Sequence, residues 1–392
     1  MAWPTRRARR GVVFRLTLAG WIFLAASILV AVTALNSGLS LLFVMFGCMI
    51  GAVYVSALLA RRMVAAVEVR RDLPERCRQN QPVSLGYLLR SVRRGGGCLA
   101  LEVADVGAKG AELPPASCGY LPARQERLSR AEMVPARRGR IRLKLLRLST
   151  TFPFGLVRAS RSFAHAESLV VWPARGRLKA TLLGRGVSES AVAAPSIRAG
   201  GQDEFYGLRE YRLGDNARWI HWRRSAGRHE PVIREMARPR PQTLWVALDT
   251  RLPDASAAAR AARERAIRLA ATLMEDALAA GYRVGAALAY RREVAIVPPA
   301  DRRIQRQHLL DALTDIDANR RRTLAETLAH LRPSWVLQAH VVVISAAADA
   351  APAASEPLTT LRRYSRELTV LAGGQLEEVF HDDPVAAGQE GA

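Results

Sequence analysis

The chain opens with two long apolar runs, and no charged residue lies between Arg15 and Arg61. Residues 16–35 and 39–60 are each long enough for a helix that crosses a hydrocarbon core, which takes roughly 20 apolar residues. Asn36, Ser37 and Gly38 interrupt the run with turn formers, so the pattern predicts a tight hairpin of two transmembrane helices. A cleaved secretory signal fits less well, because its apolar region spans about 7–15 residues and here a second run follows at once.

After the hairpin the apolar stretches shorten. Residues 64–69, 83–89, 99–103, 141–148 and 168–172 are separated by turn formers such as Gly95-Gly96-Gly97, Pro114-Pro115 and Arg138-Gly139, and they predict strands of a small antiparallel β-sandwich. Residues 181–204 are rich in Gly, Ser and Ala without a clear period, as a linker or surface loop would be. From residue 243 the character changes. The continuous apolar run 243–248 suits a buried parallel strand, and the Ala/Arg-rich stretch 256–280 predicts an amphipathic helix that stops at Gly281. Strands expected at 282–290, 340–344 and 368–371 then alternate with helices at 301–313, 324–331 and 358–364. That alternation predicts a doubly wound α/β domain, with any ligand crevice at the carboxyl ends of its strands, beginning with Asp249.

The expected organisation is therefore a basic cytoplasmic N-terminus (1–15), the transmembrane helical hairpin (16–60), an α+β continuation with a β-sandwich domain (61–180), a linker with a dense polar block (181–241, the block itself 208–228), an α/β domain (242–375) and a flexible C-terminal tail (376–392).

Charge orients this arrangement. Lys and Arg number 58 against 35 Asp and Glu, a net +23 that is almost all arginine, since Lys109, Lys144 and Lys179 are the lysines. Arg6, Arg7, Arg9, Arg10 and Arg15 precede the first span, and Arg61, Arg62, Arg70 and Arg71 follow the second, which predicts a multi-pass protein of the plasma membrane with both termini cytoplasmic. There an anionic leaflet attracts each nearby basic side chain by roughly 1 kcal/mol. Nucleic-acid binding is the competing account of the charge and is the less favoured one. Cys48 lies inside the second span, and Cys77, Cys98 and Cys118 have no metal-ligand spacing, so free thiols in a reducing compartment are expected.

The block 208–228 carries Arg209, Arg212, Arg218, Arg223, Arg224 and Arg228 against the acids Glu210 and Asp215. Gly214 permits a turn, Asp215 is placed to cap a short helix beginning near Asn216, and Ile220 and Trp222 are expected as buried anchors on one side. The arginines form a solvated basic face, a docking surface for an acidic protein partner or lipid headgroups, or a nucleic-acid contact. Trp219 and Trp222 among arginines would suit base stacking, yet buried tryptophans are commoner.

No catalytic residue can be assigned. The chain has no Gly-x-Ser-x-Gly elbow, no Walker loop and no histidine pair at zinc spacing, and none of its cysteines comes with a companion motif. A non-enzymatic role without cofactor or metal is the expectation, with a membrane-associated enzyme built around Asp215 and its neighbouring arginines as the alternative.

The order Arg209-x-Tyr211-x-x-Gly214-Asp215-x-x-Arg218-x-Ile220-x-Trp222-x-x-Ser225-Ala226 closely resembles the signature of the bacterial membrane family catalogued as domain of unknown function number fifty-eight. The leader 67–74, the Arg138-Gly139 turn, Phe152-Pro153-Phe154-Gly155-Leu156 and Val170-Val171-Trp172-Pro173 extend the resemblance over nearly the whole chain. It departs at Gly227, where the family continues with a basic residue that this chain supplies as Arg228. The resemblance implies a membrane hairpin, an immunoglobulin-like sandwich and a C-terminal domain resembling von Willebrand factor A. It also implies a setting beside MoxR-type AAA+ ATPases, and hence a scaffold or interaction protein working with such an ATPase in the assembly or maturation of envelope complexes. The metal site of a von Willebrand A domain needs Asp-x-Ser-x-Ser, whereas Asp249 is followed by Arg251 and Pro253 at the ligand positions, which cannot coordinate a cation. Asp249 is then expected to be a helix cap or the partner of a nearby arginine.

Overall fold

A computed structural model describes residues 11–93, 95–107, 113–179, 205–212, 217–226, 230–236, 242–251, 256–290, 293–300, 302–316, 323–347 and 356–382. The described residues fall into two compact units, one drawn from 11–174 and 310–315, the other from 175–309 and 316–382.

The first unit begins with strand β1 (Val13–Leu16) and continues into helix α1 (Leu18–Ser37) and helix α2 (Ser40–Ala65). Both helices are long and apolar enough to cross a membrane. Three boundaries differ from the sequence reading. Leu16, expected inside the first span, belongs to β1, which pairs antiparallel with residues 157–160, so residues 13–15 are a strand and not part of a basic tail. Asn36 and Ser37 complete the last turn of α1, leaving Gly38 in the left-handed region (φ 68°) to cap it through its N–H to the carbonyl of Ala34. Helix α2 runs through Val64, where a strand was expected.

Gly20, Ser27 and Ala34 are the buried positions of α1, at a spacing of seven that keeps them on one face, and Gly20 is covered by the Leu156 backbone. Leu18, Trp21, Ile22, Leu29 and Val32 are exposed, as lipid-facing residues would be.

The sandwich follows as β2 (Val67–Asp72), β3 (Arg76–Arg78), β4 (Val83–Ser91), β5 (Cys98–Val106), β6 (Ala116–Leu121), β7 (Glu126–Met133), β8 (Gly139–Thr150) and β9 (Val157–Trp172). One sheet has the order β1-β9-β8-β5-β6 with β3 beside β9, and the other is β2-β4-β7. Tyr87 and Leu89 of one sheet and Leu101, Leu143, Leu146 and Leu148 of the other fill a common core, to which α2 contributes Ala60, Met63 and Val64. The hairpin thus enters the domain core directly. Residues 310–315 also belong to this unit: Asp311 accepts the indole N–H of Trp172 at 2.7 Å and pairs with Arg76.

The second unit contains β10 (Gly176–Leu178), β11 (Phe205–Glu210), α3 (Trp222–Ser225), β12 (Val232–Met236), β13 (Thr243–Asp249), α4 (Ala257–Ala279), β14 (Arg283–Ala289), β15 (Val294–Ala300), α5 (Arg302–Thr314, up to Leu309), α6 (Leu324–Ala329), α7 (Pro333–Val336), β16 (His340–Ser345), α8 (Glu356–Tyr364), β17 (Glu367–Ala372), α9 (Gln375–Val379) and β18 (Phe380–Asp382). Its main sheet has the order β15-β14-β13-β16-β17, with β13, β14, β16 and β17 parallel and β15 antiparallel at the edge. The central strand β13 is buried from Leu244 to Asp249, which its unbroken apolar run requires. Trp245 and Ala247 pack with Leu324 and Leu328 of α6 and Leu358 and Leu361 of α8. Helix α4 lies along β13, β14 and β16, and period-two alternation places it on the other face. The segment 376–382, expected as tail, is ordered structure: α9 leads into β18, which pairs antiparallel with β10. The linker expected at 181–204 lies outside the described residues.

Candidate functional site

The 208–228 block is organised around β12. Strand β11 pairs with it antiparallel, setting Arg209 opposite Ile233 and Glu210 opposite Val232. Tyr211 extends the pairing through its N–H to the carbonyl of Pro231 at 2.9 Å. On the other side of β12, Ile220 bridges to Ile233, and the N–H of His221 donates to the carbonyl of Val232 at 2.7 Å. Both Val232 and Ile233 are buried, so β12 is the middle of a small three-segment ribbon.

Ser225 locks the ribbon. Its hydroxyl donates to the His221 carbonyl at 3.1 Å and accepts the N–H of Val232 at 2.9 Å. The His221 imidazole caps α3 by accepting the N–H of Arg224 through Nδ1 at 3.3 Å, and the N–H of Ala226 closes the turn on the Trp222 carbonyl. Ile220, Ser225 and Ala226 thus take part in the bonds that hold the ribbon and its turn. Gly214 and Asp215, with the helix-capping role expected of Asp215, lie outside the described residues.

The tryptophans do not behave as buried anchors. Trp222 is 69% exposed and Trp219 is 42% exposed, and Ile220 is half-buried. The reason is local: α3 has only four residues, so it offers no second turn against which the Trp222 indole could pack. Arg218, Arg223 and Arg224 are exposed beside them. The block presents two large aromatic rings and a group of guanidiniums on a surface held by backbone pairing, and its one hydroxyl nucleophile, Ser225, is engaged on both sides.

A second feature lies where the strand order of the main sheet reverses. β14 stands on one side of β13 and β16 on the other, and the carboxyl ends of β13 and β16 bring Asp249 and Ser345 together. Ser345 Oγ donates to Asp249 Oδ2 at 3.3 Å, and the N–H of Arg251 donates to Oδ1 at 2.9 Å. The N-cap of α4 is Ser256, which accepts the N–H of Ala259 at 3.0 Å, while the Asp249 carboxylate holds the Arg251 backbone with the Arg251 charge acting on it. Burial pushes the Asp249 carboxyl upward from its ordinary value, and its two donors and the charge of Arg251 oppose that shift. Among the described residues no three His, Cys, Asp or Glu side chains gather as metal ligands, and Pro253 lies outside them. The four cysteines are free thiols.

Residues 207–373 match the family model described as "Protein of unknown function DUF58". Among solved structures the chain is similar to the CARDB domain of the PF1109 protein from Pyrococcus furiosus. The solution NMR structure of that domain is 13% identical with a TM-score of 0.19, over 27% of this chain and 94% of that one. Its crystal structure in complex with di-metal ions is 13% identical with a TM-score of 0.18, over 27% and 90%. A comparison with the curated proteins returns no match.

Proposed function

We propose that this chain, which over residues 207–373 belongs to the DUF58 family, is a membrane-anchored scaffold whose 209–228 block docks a protein partner of the MoxR-type AAA+ ATPase class, in the assembly or maturation of envelope complexes. The observation that carries the reading is the exposure of Trp219 and Trp222 beside Arg223 and Arg224. Exposed tryptophan next to arginine is the composition of interface hot spots, where a rigid ring supplies area and guanidinium supplies paired hydrogen bonds. An acidic partner surface meets such a face with complementary charge.

In this reading the two apolar helices span the plasma membrane as a multi-pass anchor, with both termini cytoplasmic. Exposed Arg15 before α1 and Arg61 and Arg62 near the end of α2 support that orientation, and the net charge of +23 favours the anionic leaflet on the same side. The C-terminal unit is of the von Willebrand A type without its metal. The parallel sheet with one antiparallel edge strand, and Asp249 at the end of its first parallel strand, support the first part; exposed Arg251 at a ligand position supports the second.

The test is crosslinking in native cells, purification in detergent and identification of bound proteins by mass spectrometry, for wild type and a Trp222→Ala, Arg223→Glu variant. Both substituted side chains are exposed, so the fold is expected to survive. Recovery of an AAA+ ATPase with wild type and its loss with the variant supports docking through the block. Equal recovery with both, or none with either, overturns it.

A further inference from the structure

The turn 152–156 lies against the start of α1. The N–H of Thr17 donates to the Leu156 carbonyl at 3.1 Å, and its hydroxyl donates to the Gly155 carbonyl at 2.6 Å while accepting the N–H of Gly20 at 3.0 Å. A Cβ on Gly20 would stand 2.0 Å from the Leu156 carbonyl oxygen, so the turn sits flush on the first turn of the helix. Phe152 packs toward the sandwich core, but Phe154 is 59% exposed.

The depth of this turn follows from lengths. Helix α1 has 20 residues, hence roughly 30 Å, the thickness of a hydrocarbon core. Arg15 precedes it by three positions, so Leu18 belongs at the boundary between hydrocarbon and headgroups. Helix α2 agrees. Counted from the hairpin tip, its residues beyond Ala60 overrun α1; Arg61 and Arg62 are exposed there, and Met63 and Val64 are buried in the sandwich. Thr17 fixes the 152–156 turn to that same boundary. Leu18, Trp21 and Phe14 are exposed around it.

Resting on the two-span reading above, we propose that Phe154 inserts into the bilayer interface of anionic phospholipid beside the first turn of α1, a third membrane contact that seats the sandwich against the leaflet at fixed depth. An aromatic ring at this level is placed as in the aromatic belts of membrane proteins, and exposed Arg15, Arg61 and Arg62 lie at the level of the lipid headgroups.

The test places the photo-crosslinking amino acid benzoylphenylalanine singly at Phe154, Leu29 and Val134 in the full chain, reconstituted in vesicles of phosphatidylcholine and phosphatidylglycerol. Leu29 is exposed in the middle of α1. Val134 is exposed beside Pro135, whose carbonyl accepts the N–H of Asn80 near the far end of β9, a strand of 16 residues that spans at most roughly 50 Å from the turn. Lipid adducts are expected at Phe154 in a yield comparable to Leu29, and none at Val134. Lipid adducts at Leu29 with none at Phe154, or crosslinks from Phe154 to a second copy or another protein in their place, overturn the wedge and leave the spans intact. Absence of lipid adducts at Leu29 overturns the two-span reading itself, and the wedge with it.

Discussion

Arg71, Asp105 and Tyr87 form a charged knot inside the sandwich. The Arg71 Nε donates to Asp105 at 3.0 Å, the Tyr87 hydroxyl donates to the same carboxylate at 2.9 Å, and Arg71 also donates to the His165 carbonyl at 2.5 Å. The Arg71 and Asp105 side chains are essentially without solvent, so removing one partner strands the other charge. Asp105→Asn is expected to cost about 3–5 kcal/mol, and Tyr87→Phe about 1–2 kcal/mol, both read from thermal unfolding in detergent; equal effects of the two would mean that the ion pair is not the centre of the knot. Burial, with Asp105 second, also raises the Tyr87 phenol. A group whose folded pKa is raised stabilises below its unfolded value and loses that contribution as pH rises, so Tyr87→Phe should flatten the alkaline loss of stability. Asp249 has the same sign with the opposite consequence at neutral pH. Its raised carboxyl favours the protonated form in the fold, so ionisation at pH 7 costs stability. Asp249→Asn keeps an acceptor for the Arg251 N–H, and is expected to melt no lower than wild type at pH 7, with any gain shrinking as the pH is lowered through the carboxylate range. A large loss that persists in acid would show that the side chain's shape, and not its charge, matters there. Arg71 could be read in the sequence as a basic residue after the span, but nothing in a single sequence paired it with Asp105, because the partners come from strands of different sheets.

At the level of elements, legibility followed exposure of the backbone pattern. The helices were readable because their apolar runs exceed any strand, and α4 because Ser256 and Gly281 bracket it. Ser256→Ala should cost about 1 kcal/mol, measured by hydrogen exchange in the first turn of α4; unchanged protection there would mean that tertiary packing alone holds the helix end. The sequence shows strand β9 only at its end, residues 168–172, because Arg158, Arg161, His165 and Glu167 break the apolar signal over the rest of its length. Strand β15 is hidden in the sequence by Pro298 and Pro299, which read as a break and are tolerated because the strand is at an edge. β11 and β12 are not legible because their pairing crosses the whole polar block. The block itself stood out as the densest arginine cluster, yet its geometry did not: a four-residue helix leaves Trp222 outside, and no periodicity announces so short an element.

Over the whole molecule, the sequence suggests a hairpin joined to a separate soluble part, with a cut near residue 61. The structure places no such joint in the first unit. Ala60, Met63 and Val64 of α2 belong to the sandwich core, β1 completes its larger sheet, and Arg161 donates to the Ala65 carbonyl at 3.1 Å, at the helix end where a cation is favoured. A fragment starting at Val67 would lose β1 and these side chains together. Burial of Met63 and Val64 alone contributes about 1.5–3 kcal/mol each, against a total of about 5–15 kcal/mol for an ordinary domain, and the loss of β1 would leave the edge of β9 open to aggregation. The fragment 67–392 is therefore expected to aggregate or to melt well below the full chain in detergent, and restoring residues 11–66 should recover cooperative unfolding. A fragment as stable as the full chain would mean that the helix end only rests on the sandwich. In the membrane-anchored reading proposed above, a helix end built into the core in this way carries the position of the bilayer to the sandwich without a flexible stalk.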